Sequence, residues 1–528
     1  MVVLLPLLLS AATIASAQNL VSGVGRLSLS AGASPSAAGS VKFSSNVLSS
    51  AVGSIVSSVS DGPNRTIDSA LPTSKLYGVN FGNWLVSEPW MNPTEWLAMG
   101  GEFCESGNCE DCRQSEWSLA MYLGRNQTNA VFKQHWETWL TQDDVNGIAA
   151  AGLNAVRIPV PFWIVEDIVD QSREPYAQGG LDELIRGLYM FKDAGLNVIL
   201  DHHALPGVSS SGQMFAGNCT TQVEFYDSED NYNYKRAVTW SIVMAYLSHT
   251  HPAFETVFSI EAVNEPTQNA TQTPGIGDFY TAFVHGIRAI EASMDIICDD
   301  SLDLGAVTDS IALSAFVDAL PIIAKLSDQY GIGPFDSFDW DPLSNVTSLS
   351  IGDVLTSFVG SGDRQGKCLS TQTMNQGWQG TGGVNPANSA IGPQIYDNHL
   401  YFNFGGVAPN ATEDSYMTTI CNNTSVAAAA LVDNAPMVTG EWSLATGFNA
   451  TDDWLKKWSD AQKMAWARGG GWLFWNWKID TDAQSYPIVG QYKQWSYKEA
   501  LAAGLFTADP ATYFDDDVCA PYLNATSA

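Results

Sequence analysis

Charge is scarce in this sequence. Only 15% of its 528 residues are Asp, Glu, Lys or Arg, so Ser, Thr, Asn and Gly must carry solubility at the surface. Basic residues are scarcer still: 24 Lys and Arg stand against 56 Asp and Glu, a net charge of −32. That balance argues against nucleic acid, anionic membranes and polyanionic substrates, because like charges repel. A neutral polymer remains compatible. No stretch beyond the N-terminus reaches the roughly 18 uninterrupted apolar residues of a membrane span, so none is expected. No G-x-G-x-x-G follows the first strand, which argues against a dinucleotide-binding fold. No H-E-x-x-H appears, and no G-x-S-x-G sits in a strand–turn–helix context, which disfavours metal-dependent hydrolysis and a lipase or peptidase of the α/β type. Neither a metal nor a cofactor is expected.

What is present points to export. Residues 2–9 form an apolar run broken only by Pro6, and Ala15-Ser16-Ala17 gives a small-x-small cleavage site. Residues 1–17 therefore read as a signal peptide, although Lys and Arg are missing from its first residues. The eight cysteines are Cys104, Cys109, Cys112, Cys219, Cys298, Cys368, Cys421 and Cys519, an even number that suits disulfides in an oxidising compartment. The C-x4-C-x2-C spacing at Cys104 could suggest zinc, but no second clustered pair follows. Pairing cannot be read from spacing. Sequons begin at Asn64, Asn126, Asn218, Asn269, Asn345, Asn410, Asn422, Asn423, Asn449 and Asn524, a density that suggests glycosylated surface loops. The expected location is extracellular or in a cell wall.

Residues 18–74 are rich in Ser, Gly and Ala and nearly devoid of aromatics, so they form a low-complexity arm that cannot build a core. From residue 75 onward, short apolar runs alternate with amphipathic ones. Strands are expected at 76–81, 154–160, 197–203, 257–265, 368–376, 395–401, 436–443 and 471–477, with helices such as 143–151, 181–194 and 451–468 between them. Several of these runs are continuously apolar, as for parallel strands covered on both faces. Eight such strands alternating with helices fit an α/β fold of the (β/α)8 TIM barrel type, with an N-terminal Ser-rich arm and long loop insertions. The catalytic domain is expected over 75–528. Residues 299–366 exceed any normal connection and read as an insertion around the fourth helix, with a helix at 307–327.

Two motifs carry the chemistry. Asn264-Glu265-Pro266 is expected at the end of the fourth strand and Gly440-Glu441-Trp442 at the end of the seventh. The C-terminal face of such a barrel carries the active site, so the two carboxylates can converge there. Glycoside hydrolysis needs such a pair, one to protonate the leaving oxygen and one to attack the anomeric carbon or activate water. A solitary Glu is usually a solvated surface group. Both of these follow hydrophobic runs, where a carboxylate is costly unless used or paired. An acid that must start protonated gains from a second carboxylate nearby, and one that must stay ionised needs a cation, for which Arg157, expected at the end of the second strand, is the candidate.

Eight ordered stretches resemble the family-5 glycoside hydrolases, which are retaining barrel enzymes. They are Y-G-V-N-F-G-N-W-L-V-S-E-P-W-M (77–91), H-W-E-T-W-L-T-Q-D-D (135–144), G-L-N-A-V-R-I-P-V (152–160), D-H-H-A-L-P-G (201–207), V-N-E-P (263–266), D-N-H-L-Y (397–401), G-E-W-S (440–443) and G-W-L-F-W-N-W-K (471–478). The resemblance implies Glu265 as acid/base and Glu441 as nucleophile, with Arg157 beside the nucleophile. It implies Asn264 as donor to the sugar 2-hydroxyl, His203 and His399 lining the site, Tyr401 near the nucleophile, Trp475 as a sugar platform and Glu88 as a contact to the non-reducing-end sugar. His202 has no counterpart and reads as a packing residue or as one supporting the site residues from behind, and Trp472 and Trp477 as core or flanking residues. The chain departs from the family at Ala204 and Leu205, which replace a glycine and an alanine, and at Asn83, where glycine is usual.

The closest resemblance is to secreted fungal β-glucanases. The segments at 88–100, 135–144, 178–181 and 225–232 favour the endo-β-1,6-glucanase branch over the exo-β-1,3-glucanase branch. The reading is a monomer acting on a neutral β-glucan. Its alternatives are an exo-β-1,3-glucanase and a non-catalytic wall glucan-binding protein.

Overall fold

The computed structural model describes residues 70–294, 296–299, 310–332, 367–481 and 491–523. The expected signal peptide, most of the arm, most of the insertion and the sequons at Asn64, Asn345 and Asn524 lie outside the described residues. Asn126, Asn269, Asn410 and Asn449 of the other sequons are exposed.

Eight parallel strands close into a barrel in sequence order. They are β1 (Leu76–Asn80), β2 (Ala155–Pro161), β3 (Asn197–Ala204), β4 (Val257–Glu261), β5 (Ser370–Met374), β6 (Gln394–His399), β7 (Met437–Glu441) and β8 (Gly471–Phe474). β8 pairs back onto β1, with Leu76 opposite Gly471, so no edge is left open. All eight strands fall where expected, but β4, β5, β6, β7 and β8 stop two to four residues before the expected ends. At β4 the reason is local: Glu265 takes φ +37°, which an extended strand cannot accommodate. The floor of the barrel is filled by Leu76, Ala155, Ile199, Ile395, Val438 and Leu473, with Ala70 and Leu71 packed against them.

The helices used below are α1 (Glu116–Leu123), α2 (Arg125–Trp139), α3 (Gln142–Ala150), α4 (Gly180–Asp193), α5 (Tyr232–Thr250), α6 (Ile276–Ser293), α7 (Ser310–Tyr330), α8 (Glu413–Cys421) and α9 (Asp452–Trp466). α3 starts on a capping box in which Thr141 and Asp144 satisfy each other's backbone N–H. The β5–β6 crossover has no α-helix and runs through two single turns, Gln376–Gln379 and Pro386–Ser389. α7 belongs to the insertion and packs on α5 and α6. It explains why α5 is buried nearly all round rather than amphipathic. By length and composition α7 could also cross a membrane, but 67% of its apolar window is buried inside the protein, as for a core helix.

All eight cysteines are paired: Cys104–Cys112, Cys109–Cys219, Cys298–Cys368 and Cys421–Cys519. Cys298–Cys368 joins the two ends of the insertion. Cys109–Cys219 ties the loop after β1 to the loop after β3, and Cys421–Cys519 ties α8 to the C-terminal segment. No thiolate remains for a metal.

The first residue of α1, Glu116, is fully buried. One of its oxygens accepts the Ser87 N–H at 2.6 Å and the other has no partner. Burial pushes its carboxyl up to about 8. Below the ordinary glutamate value of 4.5 both folded and unfolded chains hold the proton. Between there and about 8 only the folded chain does, so stability falls as pH rises through that window. Glu88, pushed up to about 7 by burial, acts in the same direction. The melting temperature is expected to fall by a few degrees between pH 5 and pH 8. In Glu116→Gln the fall becomes shallower by up to about 1.4 kcal/mol per pH unit. Thermal melts across that range check this, and an identical slope in the variant refutes it.

Candidate active site

Inside the barrel the physics is dictated by one cation. Arg157 is the third residue of β2, deeper than the strand-end position expected for it, and its long side chain reaches up to the mouth. It is fully buried. Nε donates to Glu261 at 2.8 Å, Nη1 to Asn80 at 3.0 Å and to Glu441 at 2.8 Å, and Nη2 to Asn264 at 2.9 Å. Asp201 lies 3.1 Å from Nη2 and Asp397 3.9 Å from Nε. Burial alone lowers an arginine, but Asp201, Glu261, Glu441 and Asp397 outweigh it, so the guanidinium is held well above its ordinary value. Burial pushes Glu261 well above the carboxylate range, Arg157 opposes this, and Asp201 and Asp397 add to the rise. Glu261 thus serves as the neutral member of a cluster that a single guanidinium cannot neutralise.

Glu441 ends β7 and faces this cation with one oxygen. Its other oxygen accepts the Tyr401 hydroxyl at 2.7 Å. The residue before it has no room for a side chain unless Asp397 moves. A Cβ on Gly440 would lie 2.2 Å from an Asp397 oxygen, and the Gly440 N–H donates to that carboxylate at 2.7 Å. A bulge between Asn398 and His399 brings His399 opposite Glu441. Burial works against a charged His399, but Glu441 and Asp397 outweigh it and hold the imidazole well above its ordinary value. Nδ1 then reaches Glu265 at 2.8 Å and Glu441 at 3.5 Å. Burial raises the Glu441 carboxyl, His399 and Arg157 pull it back, and Glu265 pushes it up again.

Glu265 sits four residues beyond the last residue of β4, on a loop rather than at the strand end. Its backbone is at φ +37°, and proline follows it. Positive φ is costly for a residue with a side chain, and a following proline narrows the choice further. Neighbouring side chains hold the turn. Ser210 Oγ donates to the Glu265 carbonyl, and Trp378 Nε1 donates to the Pro266 carbonyl at 2.7 Å. The Thr267 N–H donates to the Tyr226 hydroxyl at 3.0 Å, and Thr267 Oγ1 to the Ser209 carbonyl at 3.1 Å. Oxygens of Glu265 and Glu441 and a ring nitrogen of His399 all lie within 4.8 Å of one another.

The remaining expected residues converge on the same place. Asn264 gives its Oδ1 to Arg157, leaving a buried Nδ2 with no protein partner. His203 Nδ1 meets Asp201 at 2.5 Å, and its ring lies parallel to Trp475 at 5.8 Å. Trp475 follows β8 and passes over Gly82, where a Cβ would meet its ring at 2.8 Å. It packs with Met91, Ala445, Ile479 and Trp495, bordered by Trp90 and Tyr401. Glu88 accepts from Trp90 Nε1 at 2.8 Å; burial sets its raised carboxyl, which His203 and Trp90 partly counter.

Other residues turn away from the cleft. His202 points to the helices and stacks on Trp240 at 4.0 Å, neutral through burial. Trp472 packs against Trp442, and Trp477 donates to Asp144 at 3.2 Å, so both are core. Asn83, where the family has glycine, sits at φ +57°, a conformation asparagine tolerates. Its Oδ1 accepts the Glu88 N–H at 2.8 Å.

Sequence reasoning did not single out Asn80, Asp201, Glu261, Gln372, Asp397, Ser210 or Trp378. Glu261 carried a signal: a carboxylate inside an apolar strand must be paired. Ser210 and Trp378 carried none, because their role depends on the path of the Glu265 loop. Among the described residues, two triads of carboxylates and histidine have the spacing of metal ligands, Glu261–Asp397–His399 and Glu265–His399–Glu441. In the first, Arg157 already places a cation against Glu261.

The profile of the cellulase family, glycosyl hydrolase family 5, matches residues 123–481. The chain is 28% identical over 461 residues to glucan endo-1,6-beta-glucosidase B of Emericella nidulans, covering 85% of this chain and 89% of that protein. It is 34% identical over 224 residues to a probable glucan 1,3-beta-glucosidase A of Aspergillus fumigatus, covering 42% of this chain and 49% of that one. Among solved structures, a rutinosidase from Aspergillus niger aligns with a TM-score of 0.51 at 19% identity, covering 84% of this chain and all of that one (100%). This last likeness concerns the fold.

Gly440→Ala tests the coupling between strand and site. The added methyl collides with Asp397, and overpacking of that kind costs about 1–3 kcal/mol. A melting temperature lower by several degrees is expected. A variant that melts like the parent shows that Asp397 yields freely.

Proposed function

The chain belongs to glycosyl hydrolase family 5, and is thus an O-glycosyl hydrolase; from that premise we propose that it cleaves β-1,6-glucan with retention of configuration, Glu265 as acid/base and Glu441 as nucleophile. The observation that carries the mechanism is that one oxygen of Glu265 and one of Glu441 lie within 4.8 Å of each other. Retaining enzymes hold their carboxyls about 5–5.5 Å apart, whereas inverting ones leave about 6.5–9.5 Å for a water. Glu265 protonates the glycosidic oxygen while Glu441 attacks the anomeric carbon, giving a covalent glycosyl-enzyme. Glu265 then takes a proton from water, which releases the sugar.

Each neighbour has a part in this scheme. Arg157 and Tyr401 hold the two oxygens of the Glu441 carboxylate by charge-assisted hydrogen bonds. The unpartnered Asn264 Nδ2 is placed to donate to the sugar 2-hydroxyl, a bond that strengthens in the transition state. Trp475 offers an aromatic face, His203 and His399 line the site, and Glu88 accepts from a sugar hydroxyl at the non-reducing end. The linkage reading is supported by relatives named endo-1,6-beta-glucosidase that align along most of the chain, whereas the 1,3-beta-glucosidase aligns over less than half of it. The wider proposal is a monomer, exported by the signal peptide at 1–17, with an arm at 18–74 and a catalytic domain at 75–528. Four disulfides suit that extracellular or cell-wall location.

Digestion of pustulan and laminarin decides the linkage: faster turnover of pustulan is expected, and preference for laminarin moves the protein to the 1,3 branch. Glu441→Gln should lose at least about 1,000-fold in kcat with glucan binding retained. Undiminished turnover overturns its role, and absence of turnover in the parent favours a binding protein. Proton NMR should show the β-anomer first.

The pH profile follows from burial of Glu441. The nucleophile works ionised, and its carboxyl is raised, so kcat/KM falls with acid from above the ordinary glutamate value. In Tyr401→Phe the carboxylate loses a donor, so this acid limb moves to higher pH. Its movement to lower pH contradicts the assignment.

A further inference from the structure

Trp378 lies in the β5–β6 crossover and takes no part in the scheme above. Three contacts relate it to Glu265. Its indole Nε1–H donates to the carbonyl of Pro266 at 2.7 Å. Its ring meets the His399 ring edge-on at 5.6 Å. His399 in turn bonds the Glu265 carboxylate at 2.8 Å. Trp378 thus touches both the backbone beside Glu265 and the imidazole that aims its carboxylate.

The turn needs such support. Glu265 combines positive φ with a following proline, two conditions that each disfavour the conformation. A strained backbone persists only where its surroundings over-determine it. Here Ser210 holds the Glu265 carbonyl from one side, and Trp378 holds the next carbonyl from the other. The Ser210 side is itself built on strain, because Val208 is a β-branched residue at φ +64°. Released, the Glu265 peptide would relax toward the extended region and swing its carboxyl away from His399.

We propose that Trp378 and Ser210 are positioning residues that clamp the Glu265 turn and so set proton delivery to the leaving group. This rests on the reading of Glu265 as acid/base. It makes a distinction that a general structural role does not. A departing dinitrophenolate needs no proton, whereas a departing phenolate does. Losing the clamp therefore slows substrates with a poor leaving group and spares those with a good one.

The experiment compares kcat/KM for the 2,4-dinitrophenyl and phenyl β-glycosides of whichever disaccharide, gentiobiose or laminaribiose, the parent hydrolyses. This ratio reports the first bond-breaking step. Glu265→Ala is the reference; if it fails to discriminate between the leaving groups, the acid/base reading fails and not the clamp. Given that discrimination, Trp378→Phe, which keeps a ring but lacks the N–H, should lower the phenyl rate about 10–100-fold and leave the dinitrophenyl rate within about twofold. Ser210→Ala should show the same pattern more weakly. Equal losses on both substrates, or no loss on either, overturn the proposal. Should Trp378→Phe fail to fold, the Ser210→Ala pattern decides alone.

Discussion

The guanidinium of Arg157 is the interaction on which the rest of the site depends. It is bonded to Asn80 on β1, Glu261 on β4, Asn264 beyond β4 and Glu441 on β7, and lies against Asp201 on β3 and Asp397 on β6. Gln372 on β5 closes the ring by donating to Asp397 at 2.8 Å and to Glu261 at 3.2 Å. Seven strands are thus tied through one buried polar network. Such a network is poor material for stability, since the desolvation of its charged groups offsets much of what their attraction returns. What it confers is position. Each acid is held at a fixed distance from a group that cannot be deprotonated, in a medium where small displacements change electrostatic energies strongly.

Against that rigid half stands a strained one. Glu441 is the last residue of a regular strand, with the strand ladder below it and Gly440 shaped to Asp397. Glu265 is on a loop, in a conformation the chain disfavours, held by side chains from two other loops. The roles proposed for the two carboxylates match this division. A nucleophile must stay fixed at one atom of the sugar, whereas an acid/base serves two steps, first giving and then taking a proton on the leaving-group side. Protonated His399 lies between the two and lends its charge to both carboxylates, nearer to Glu265 than to Glu441.

The barrel was legible in the sequence because eight apolar runs alternate with amphipathic ones and a closed parallel sheet is the arrangement that covers them all. The two glutamates and most of their neighbours were legible from motif resemblance. Strand ends were not: β4 was read through to Glu265, because V-F-S-I-E-A-V-N-E looks continuously strand-like and nothing local announces a positive φ before Pro266. Arg157 was placed at a strand end, although its side chain spans the distance from a position lower in the barrel. The clamp from Ser210 and Trp378 was invisible because both act through hydrogen bonds to backbone carbonyls more than fifty residues away, and such contacts leave no pattern in composition or spacing.

The proposed chemistry and the shape of the cleft rest on different parts of the chain. The acids and their cation hang mainly on strands, whereas the mouth is walled by loops, and the longest of these are tied by disulfides. Cys109–Cys219 fastens the loop after β1 to that after β3, and Cys104–Cys112 tightens the former. Glu88 and Trp90 precede this knot, Val208 and Ser210 lie on the other loop it fastens, and Trp475 packs against Met91 beside them. The covalent link therefore fixes one wall of the cleft relative to the strand-borne charges. Ala204, the last residue of β3, and Leu205 after it, the positions where the third-strand motif departs from its family, are fully buried where the loop after that strand begins. Both are apolar and stand outside the hydrogen-bonded network of Arg157, so the departure from the motif leaves that network its full set of partners.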